Sequence, residues 1–278
     1  MSADTHFQQP NALTSMLFSK LKRQPKRIVF TDGEDIRVLR VAQRMVAMEI
    51  GVPILLGNRE KIHQMAAEES ISMNFVSVID PRQASDLELF CHRLKKTRRF
   101  QGRDILNPEE IMARPQNFGA MMVQYGHADG MIAGNQSLPA TVFRAAINMI
   151  KPVPEVPRVF GAMIMVASHL KHFGHEGILF MADCGVIPDP DVKQLASIAI
   201  ETGKLAGHFL GRTPRIAMLS YSTHGSAPSK SPEKMAAATV LAKKMIAKDR
   251  LDMEITGEVQ IDVALDASAA EIKTPDAK

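Results

Sequence analysis

Between Arg215 and Ser229 the sequence reads RIAMLSYSTHGSAPS. Ile216 to Leu219 is an apolar run long enough for one buried strand. It leads directly into Ser220, Tyr221, Ser222, Thr223, His224, Gly225 and Ser226, a dense row of hydroxyls around a glycine. Pro228 and the polar run Ser229 to Pro232 then lead into a helical pattern from Glu233. A strand that ends in hydroxyls and glycine before a helix is the usual address of an anion site in an open α/β sheet. Backbone N–H groups and small hydroxyls there can surround a phosphate without steric conflict. Ser220, Ser222, Thr223, Gly225 and Ser226 are therefore candidate ligand contacts. The competing reading is a Ser/Gly-rich surface loop with no chemistry.

The pattern S-Y-S-T-x-G-S resembles the signature of phosphate acetyl/butyryl transferases, which exchange an acyl group between coenzyme A and inorganic phosphate. Further segments resemble the same family in the same order: F-T-D-G-E-D-I-R-V-L-R from Phe30, G-A-M-M-V-x-x-G-x-A-D-G-M-I-A-G from Gly119, D-C-x-V-x-P-x-P from Asp183, and G-E-x-Q-x-D from Gly257. The resemblance implies an α/β fold of two three-layer α/β/α lobes with mainly parallel sheets, like isocitrate and isopropylmalate dehydrogenases. It implies that Asn135, Ser137 and Arg144 line the active-site cleft, that Arg93 serves as a functional arginine of the basic segment, and that Gln260 bonds a ligand. Arg144, Ser222 and Thr223 then form the catalytic set. Arg144 neutralises phosphate, and Ser222, Thr223, Gly225 and Ser226 serve the phosphate or the carbonyl oxygen. Acetyl-CoA is a substrate, with no permanently bound cofactor and no metal, and phosphate or acyl phosphate is the other partner. A cytoplasmic homodimer is expected. The resemblance also implies a further C-terminal segment beyond Lys278, carrying a serine–arginine pair and an acidic general base. H-R-L-x-x-x-R from His92 and G-E-V-Q-I-D-V-A-L-D from Gly257 resemble the phosphotransacetylase-like domain fused behind some malic enzymes. That likeness implies the alternative, a non-catalytic acyl-CoA-sensing or oligomerisation module.

Periodicity gives the helices and strands that carry these residues. Arg27 to Thr31 reads as a strand, Ile36 to Val46 as an amphipathic helix, and Val52 to Leu56 as a second strand. A helix from Arg59 and a strand at Phe75 to Ile79 complete a strand–helix alternation, which predicts a mainly parallel sheet. Ile36, Leu39, Val41, Ala42, Met45 and Val46 form the expected apolar face, with Asp35 as the helix cap and Gly51 as its end. Asp32 and Glu34 read as turn and cap residues. Gln83 to Arg99 is expected as one long basic helix, and Pro139 to Ile150 as the helix carrying Arg144. Lys151 to Pro157 holds three prolines and is the expected linker between an N-terminal lobe, 1–150, and a C-terminal lobe, 151–278. In the second lobe Val159 to Val166 and Ile178 to Ala182 are expected strands, and Val192 to Leu210 an expected helix. After it Pro232 to Lys248 is a helix and Asp252 to Ile255 a strand. The last helix is expected to begin within Gly257 to Asp262, with Asp262 as its cap.

Composition bounds the rest. The 278 residues are 45% hydrophobic and 23% charged, enough to bury a core and stay soluble. A net charge of +4 and 5% aromatics, with no tryptophan, argue against nucleic acid and suit an anionic small ligand. The longest apolar runs are too short to cross a membrane, and the N-terminus shows no signal-peptide pattern. The eighteen methionines read as core filler. Cys91 and Cys184 read as free, structural thiols of a reducing compartment, Cys184 having no adjacent base in sequence to make it a nucleophile, and His169, His172 and His175 as a surface loop rather than a metal site. The absence of G-x-G-x-x-G and of paired metal-binding aspartates argues against a decarboxylating dehydrogenase.

Overall fold

The computed structural model describes residues 11–97, 100, 102, 105–154 and 159–274. The chain divides into two compact units, Met1–Lys151 and Pro152–Lys278. Of the expected linker, residues 155–157 lie outside the described residues, as do Arg98 and Arg99 at the end of the basic segment.

The first unit opens with α1 (Ala12–Arg23), capped by the Asn11 side chain, which accepts the Thr14 N–H. Then come β1 (Lys26–Phe30), α2 (Ile36–Ala47), β2 (Gly51–Leu56), α3 (Arg59–Glu68) and β3 (Ser77–Ile79). After them follow α4 (Leu87–Leu94), α5 (Pro108–Met112), α6 (Pro115–Gln124), β4 (Gly130–Ile132) and α7 (Pro139–Met149). The strands form one parallel sheet in the order β3-β2-β1-β4. Both its faces are covered, as parallel sheets require. Val29, Ile54 and Leu56 pack with Phe90, Leu94, Phe118 and Met121 on one side. Phe30 and Leu55, the intervening residues, pack with Leu39, Ala42 and Ile62 on the other. Each such side chain contributes roughly 2 kcal/mol by leaving water.

Several local expectations are corrected. α2 buries Val38, Leu39 and Ala42, whereas Val41 is 41% exposed. Gly51 opens β2 rather than ending α2: a Cβ there would stand 2.7 Å from the Lys26 carbonyl oxygen. Phe75 has φ 62° and is exposed, so β3 starts only at Ser77. The basic helix is short. α4 ends at Leu94, after which the Thr97 N–H and hydroxyl both turn back to the Leu94 carbonyl.

The second unit contains β5 (Ala162–Val166), β6 (Ile178–Ala182), α8 (Val192–Leu210), β7 (Arg215–Leu219) and α9 (Lys230–Asp249). It ends with β8 (Glu254–Val259), α10 (Ile261–Leu265) and α11 (Ala267–Lys273). β5 and β6 pair antiparallel, and β7 and β8 pair parallel. α8 begins at a capping box between Asp191 and Gln194 and stops at Gly211, whose φ of 64° suits glycine. Its core is built from small residues: Ala196 and Ile200 meet Ala242, and Ala199 meets Met218 and Ala238. β8 runs further than its sequence suggests and takes in Gly257 and Glu258, so the expected helix start there is corrected to Ile261. Asp262 does not cap the last helix. It pairs with Lys273, and Asp266 caps α11 by accepting the Ser268 N–H.

Candidate active site

In each unit a polar loop follows the C-terminal ends of strands, and in each a carboxylate gathers it. In the first unit the chain leaves β1 through Thr31 to Asp35. Asp32 accepts the N–H groups of Gly134 and Asn135 at 3.0 and 2.9 Å and the Ser137 hydroxyl at 2.7 Å. Asp35 is 4% exposed and caps α2 through the Arg37 N–H. It also accepts Asn135 Nδ2 at 2.6 Å and Gln136 Nε2 at 2.9 Å. Hydrogen bonding by the Arg37 guanidinium, helped by Gln136 and outweighing burial, holds the Asp35 carboxyl far below the usual carboxylate range. Glu34 accepts the Asn58 N–H and Lys61 Nζ, which lower its pKa. The reading of Asp32 and Glu34 as turn and cap residues is thus too small, since both tie separate segments together. A cavity of about 280 Å³ lies beside this loop, lined by Phe30, Asp32, Val38, Ile132 and Gly134 among others.

Asn135 and Ser137 are brought together here. Asn135 Nδ2 is engaged by Asp35, and the Ser137 hydroxyl by Asp32 and Gln116. Arg144 lies on α7, one element further along. It is exposed, and it enters none of the ion pairs found among the described residues. Arg93 is engaged elsewhere: its guanidinium stacks on the Tyr125 ring, 3.9 Å from the centroid.

In the second unit the loop after β7 closes around Glu258. The ladder pairs Met218 with Gly257 and Leu219 with Val259, which leaves Glu258 as the extra residue of a bulge. Its Oε1 accepts the Ser222 hydroxyl at 3.0 Å and the Gly225 N–H at 2.7 Å, and its carbonyl accepts the His224 N–H at 3.0 Å. Ser222 Oγ in turn accepts the Ala227 N–H. Thr223 Oγ1 accepts the Gln260 N–H at 3.0 Å, and Ser226 Oγ accepts the Thr223 N–H at 3.0 Å. Ser220 Oγ accepts the Ser222 N–H. Ser220, Ser222, Thr223, Gly225, Ser226 and Gln260 therefore belong to one network. Burial pushes the Glu258 carboxyl up, but the Gly225 N–H, its own N–H, the Ser222 hydroxyl and His224 outweigh that and leave it lowered.

This geometry corrects one expectation. The N–H groups from Ser222 to Ala227 all have acceptors inside the unit, so they do not form an open cradle for an anion. Ser222 and Thr223 are buried, whereas His224, Gly225 and Ser226 are exposed. Glu258 was not singled out from the sequence. The available signal was a charged residue inside the strand pattern EITGEV, next to a glycine. A similar device holds the loop after β6: Asp183 accepts the N–H groups of Gly161, Gly185, Val186 and Ile187. Cys184 beside it is exposed, and its Sγ contacts the Met181 carbonyl. His175 bonds Arg212, and among the described residues no three His, Cys, Asp or Glu side chains group to hold a metal.

The parallel sheet of the first unit and the parallel pair of the second, with polar loops at their strand ends, define an α/β protein of the open-sheet class. The particular family is shown by comparison. Residues 12–278 match the model of the phosphate acetyl/butaryl transferases, and the chain belongs to that family. It is 33% identical over 264 residues to a phosphate acetyltransferase of Thermoanaerobacterium thermosaccharolyticum, covering 95% of this chain and 78% of the relative. It is 34% identical over 257 residues to one of Acetivibrio thermocellus, covering 92% and 75%. Among solved structures, the EutD phosphotransacetylase of Staphylococcus aureus aligns with a TM-score of 0.81 at 31% identity, covering 96% of this chain and 78% of that one. A phosphotransacetylase of Streptococcus pyogenes aligns with a TM-score of 0.85 at 28% identity over the same shares of each chain.

Proposed function

We propose that this chain transfers an acetyl or short acyl group reversibly between coenzyme A and inorganic phosphate. The observation that carries this reading is the family match from residue 12 to residue 278, with curated phosphate acetyltransferases aligned over nearly the same span. A phosphate oxygen attacks the thioester carbonyl carbon. The C–O bond forms, the C–S bond breaks, and the phosphate proton ends on the departing thiolate, giving acyl phosphate and free coenzyme A. A thiolate leaves readily, so no covalent enzyme intermediate is required. The protein's task is to hold the reactants together and to stabilise negative charge on the carbonyl oxygen.

Arg144 is assigned to phosphate, where an exposed guanidinium with no ion-pair partner among the described residues offers bidentate bonding. Ser226 is assigned to the substrate oxygens, because its exposed hydroxyl keeps its proton free after accepting the Thr223 N–H. Ser220, Ser222, Thr223, Gly225 and Gln260 hold the loop, and Asn135, Ser137 and Arg93 are secondary contacts for the coenzyme or phosphate. The enzyme acts without a permanently bound cofactor, as a homodimer, in the cytoplasm. Two free cysteines suit that reducing compartment, and sedimentation of the purified chain measures the dimer. Among the described residues no helix is long and apolar enough to cross a membrane.

The test is thiol release from acetyl-CoA by purified protein, with phosphate and, separately, with arsenate. Anion-dependent release is expected. Arg144→Ala should lower kcat/KM by about 10²–10³-fold, the usual scale for losing one group that stabilises transition-state charge. Coenzyme A binding without turnover would contradict the reading.

A further inference from the structure

The structure assigns Glu258 a positioning role in the reaction proposed above, on which this inference rests: it fixes the 220–227 loop so that the Ser226 hydroxyl meets the substrate oxygens. Glu258 takes up the Ser222 hydroxyl and the Gly225 N–H through one oxygen, and the His224 N–H through its carbonyl. Ser222 then takes the Ala227 N–H, and Ser226 takes that of Thr223 while its own N–H returns to the Thr223 carbonyl. Inside the loop, from Ser222 to Ala227, the backbone has no donor left for a ligand. The hydroxyl proton of exposed Ser226 remains available. A negative charge 4% exposed beneath a loop of satisfied amides stiffens the loop. It also fills the position an anion would otherwise take among those amides. Substrate must then meet the outward hydroxyl, whose aim is set by a carboxylate it does not touch. Such an arrangement is preorganisation, in which a supporting group holds the contacting one.

The bulge explains how a strand can do this. Residues paired in a ladder alternate between the two faces, but an extra residue is released from that alternation and re-aims its side chain. Glu258 is that residue, between the Met218–Gly257 and Leu219–Val259 pairs.

The test is a kinetic double-mutant cycle on the full chain, with acetyl-CoA and phosphate as substrates. Glu258→Gln should lower kcat by about 10–100-fold, the scale on which small misplacements cost rate, and leave the acetyl-CoA KM unchanged. Ser226→Ala should lower kcat by itself. The double variant should be no slower than the worse single, because Glu258 acts through Ser226. Glu258→Asp, which keeps the charge, should recover part of the rate. If melting shows that Glu258→Gln does not fold, Glu258→Asp takes its place in the cycle. Losses that multiply in the double variant, or a Glu258 variant that matches wild type, would overturn the role. A wild-type chain without phosphate-dependent turnover would instead contradict the function itself, and this role with it.

Discussion

The 133–137 loop of the first unit and the 220–227 loop of the second are built by the same device at different depths. Asp32 gathers a loop about a hundred positions away in sequence through the exposed N–H groups of Gly134 and Asn135 and the half-buried Ser137 hydroxyl, and Asp35 adds the side chains of Asn135 and Gln136. The Glu258 carboxylate gathers its loop through the Gly225 N–H and the buried Ser222 hydroxyl, and its carbonyl takes the His224 N–H. Exposed donors can turn to water when their acceptor is lost; buried donors cannot do so without the loop opening. The first loop should therefore tolerate change in place, and the second should not.

The largest expected effect follows from that difference. Glu258→Ala leaves the Ser222 hydroxyl buried without its acceptor and should cost about 3 kcal/mol, read as a shift in the denaturant midpoint. Asp32→Ala releases groups that water can reach, and should cost about 1 kcal/mol in the same measurement. Equal losses would remove the contrast. The smallest effect concerns acid. Hydrogen bonding by Arg27 holds exposed Asp129 down at about 2. A lowered folded pKa adds stability above the unfolded value, near 4, that is lost as pH falls toward the folded value. Asp129→Asn should flatten stability slightly between those two pH values. Glu258→Gln should also flatten it in acid, since its carboxylate is lowered too by the Gly225 N–H and the Ser222 hydroxyl. Variants that keep the wild-type dependence in acid titrations would contradict these two assignments.

The first unit was largely legible in the sequence. Its parallel strands are covered on both faces, so the apolar runs at Val29–Phe30 and Ile54–Leu56 mark them directly. Where the first unit misled, tertiary detail decided. Gly51 is required by the approach of the Lys26 carbonyl, and the basic helix stops when Thr97 folds back on Leu94. The second unit was less legible. The antiparallel β5–β6 pair has exposed methionines, Met163 and Met165, and shows no period that fixes strand direction. β8 hides a glycine and a glutamate inside a strand, and Glu258 makes sense only with partners more than thirty residues earlier. The hydroxyl-rich loop itself was plain. Which hydroxyls face inward was not, because the buried Ser222 and Thr223 hydroxyls meet partners, Glu258 and the Gln260 N–H, that lie more than thirty residues later.

The most direct measurement is phosphorus NMR of the purified chain mixed with acetyl-CoA and inorganic phosphate. The account predicts a new acyl phosphate resonance that grows in step with free thiol. Thiol appearing without acyl phosphate, or no change in either, would contradict it.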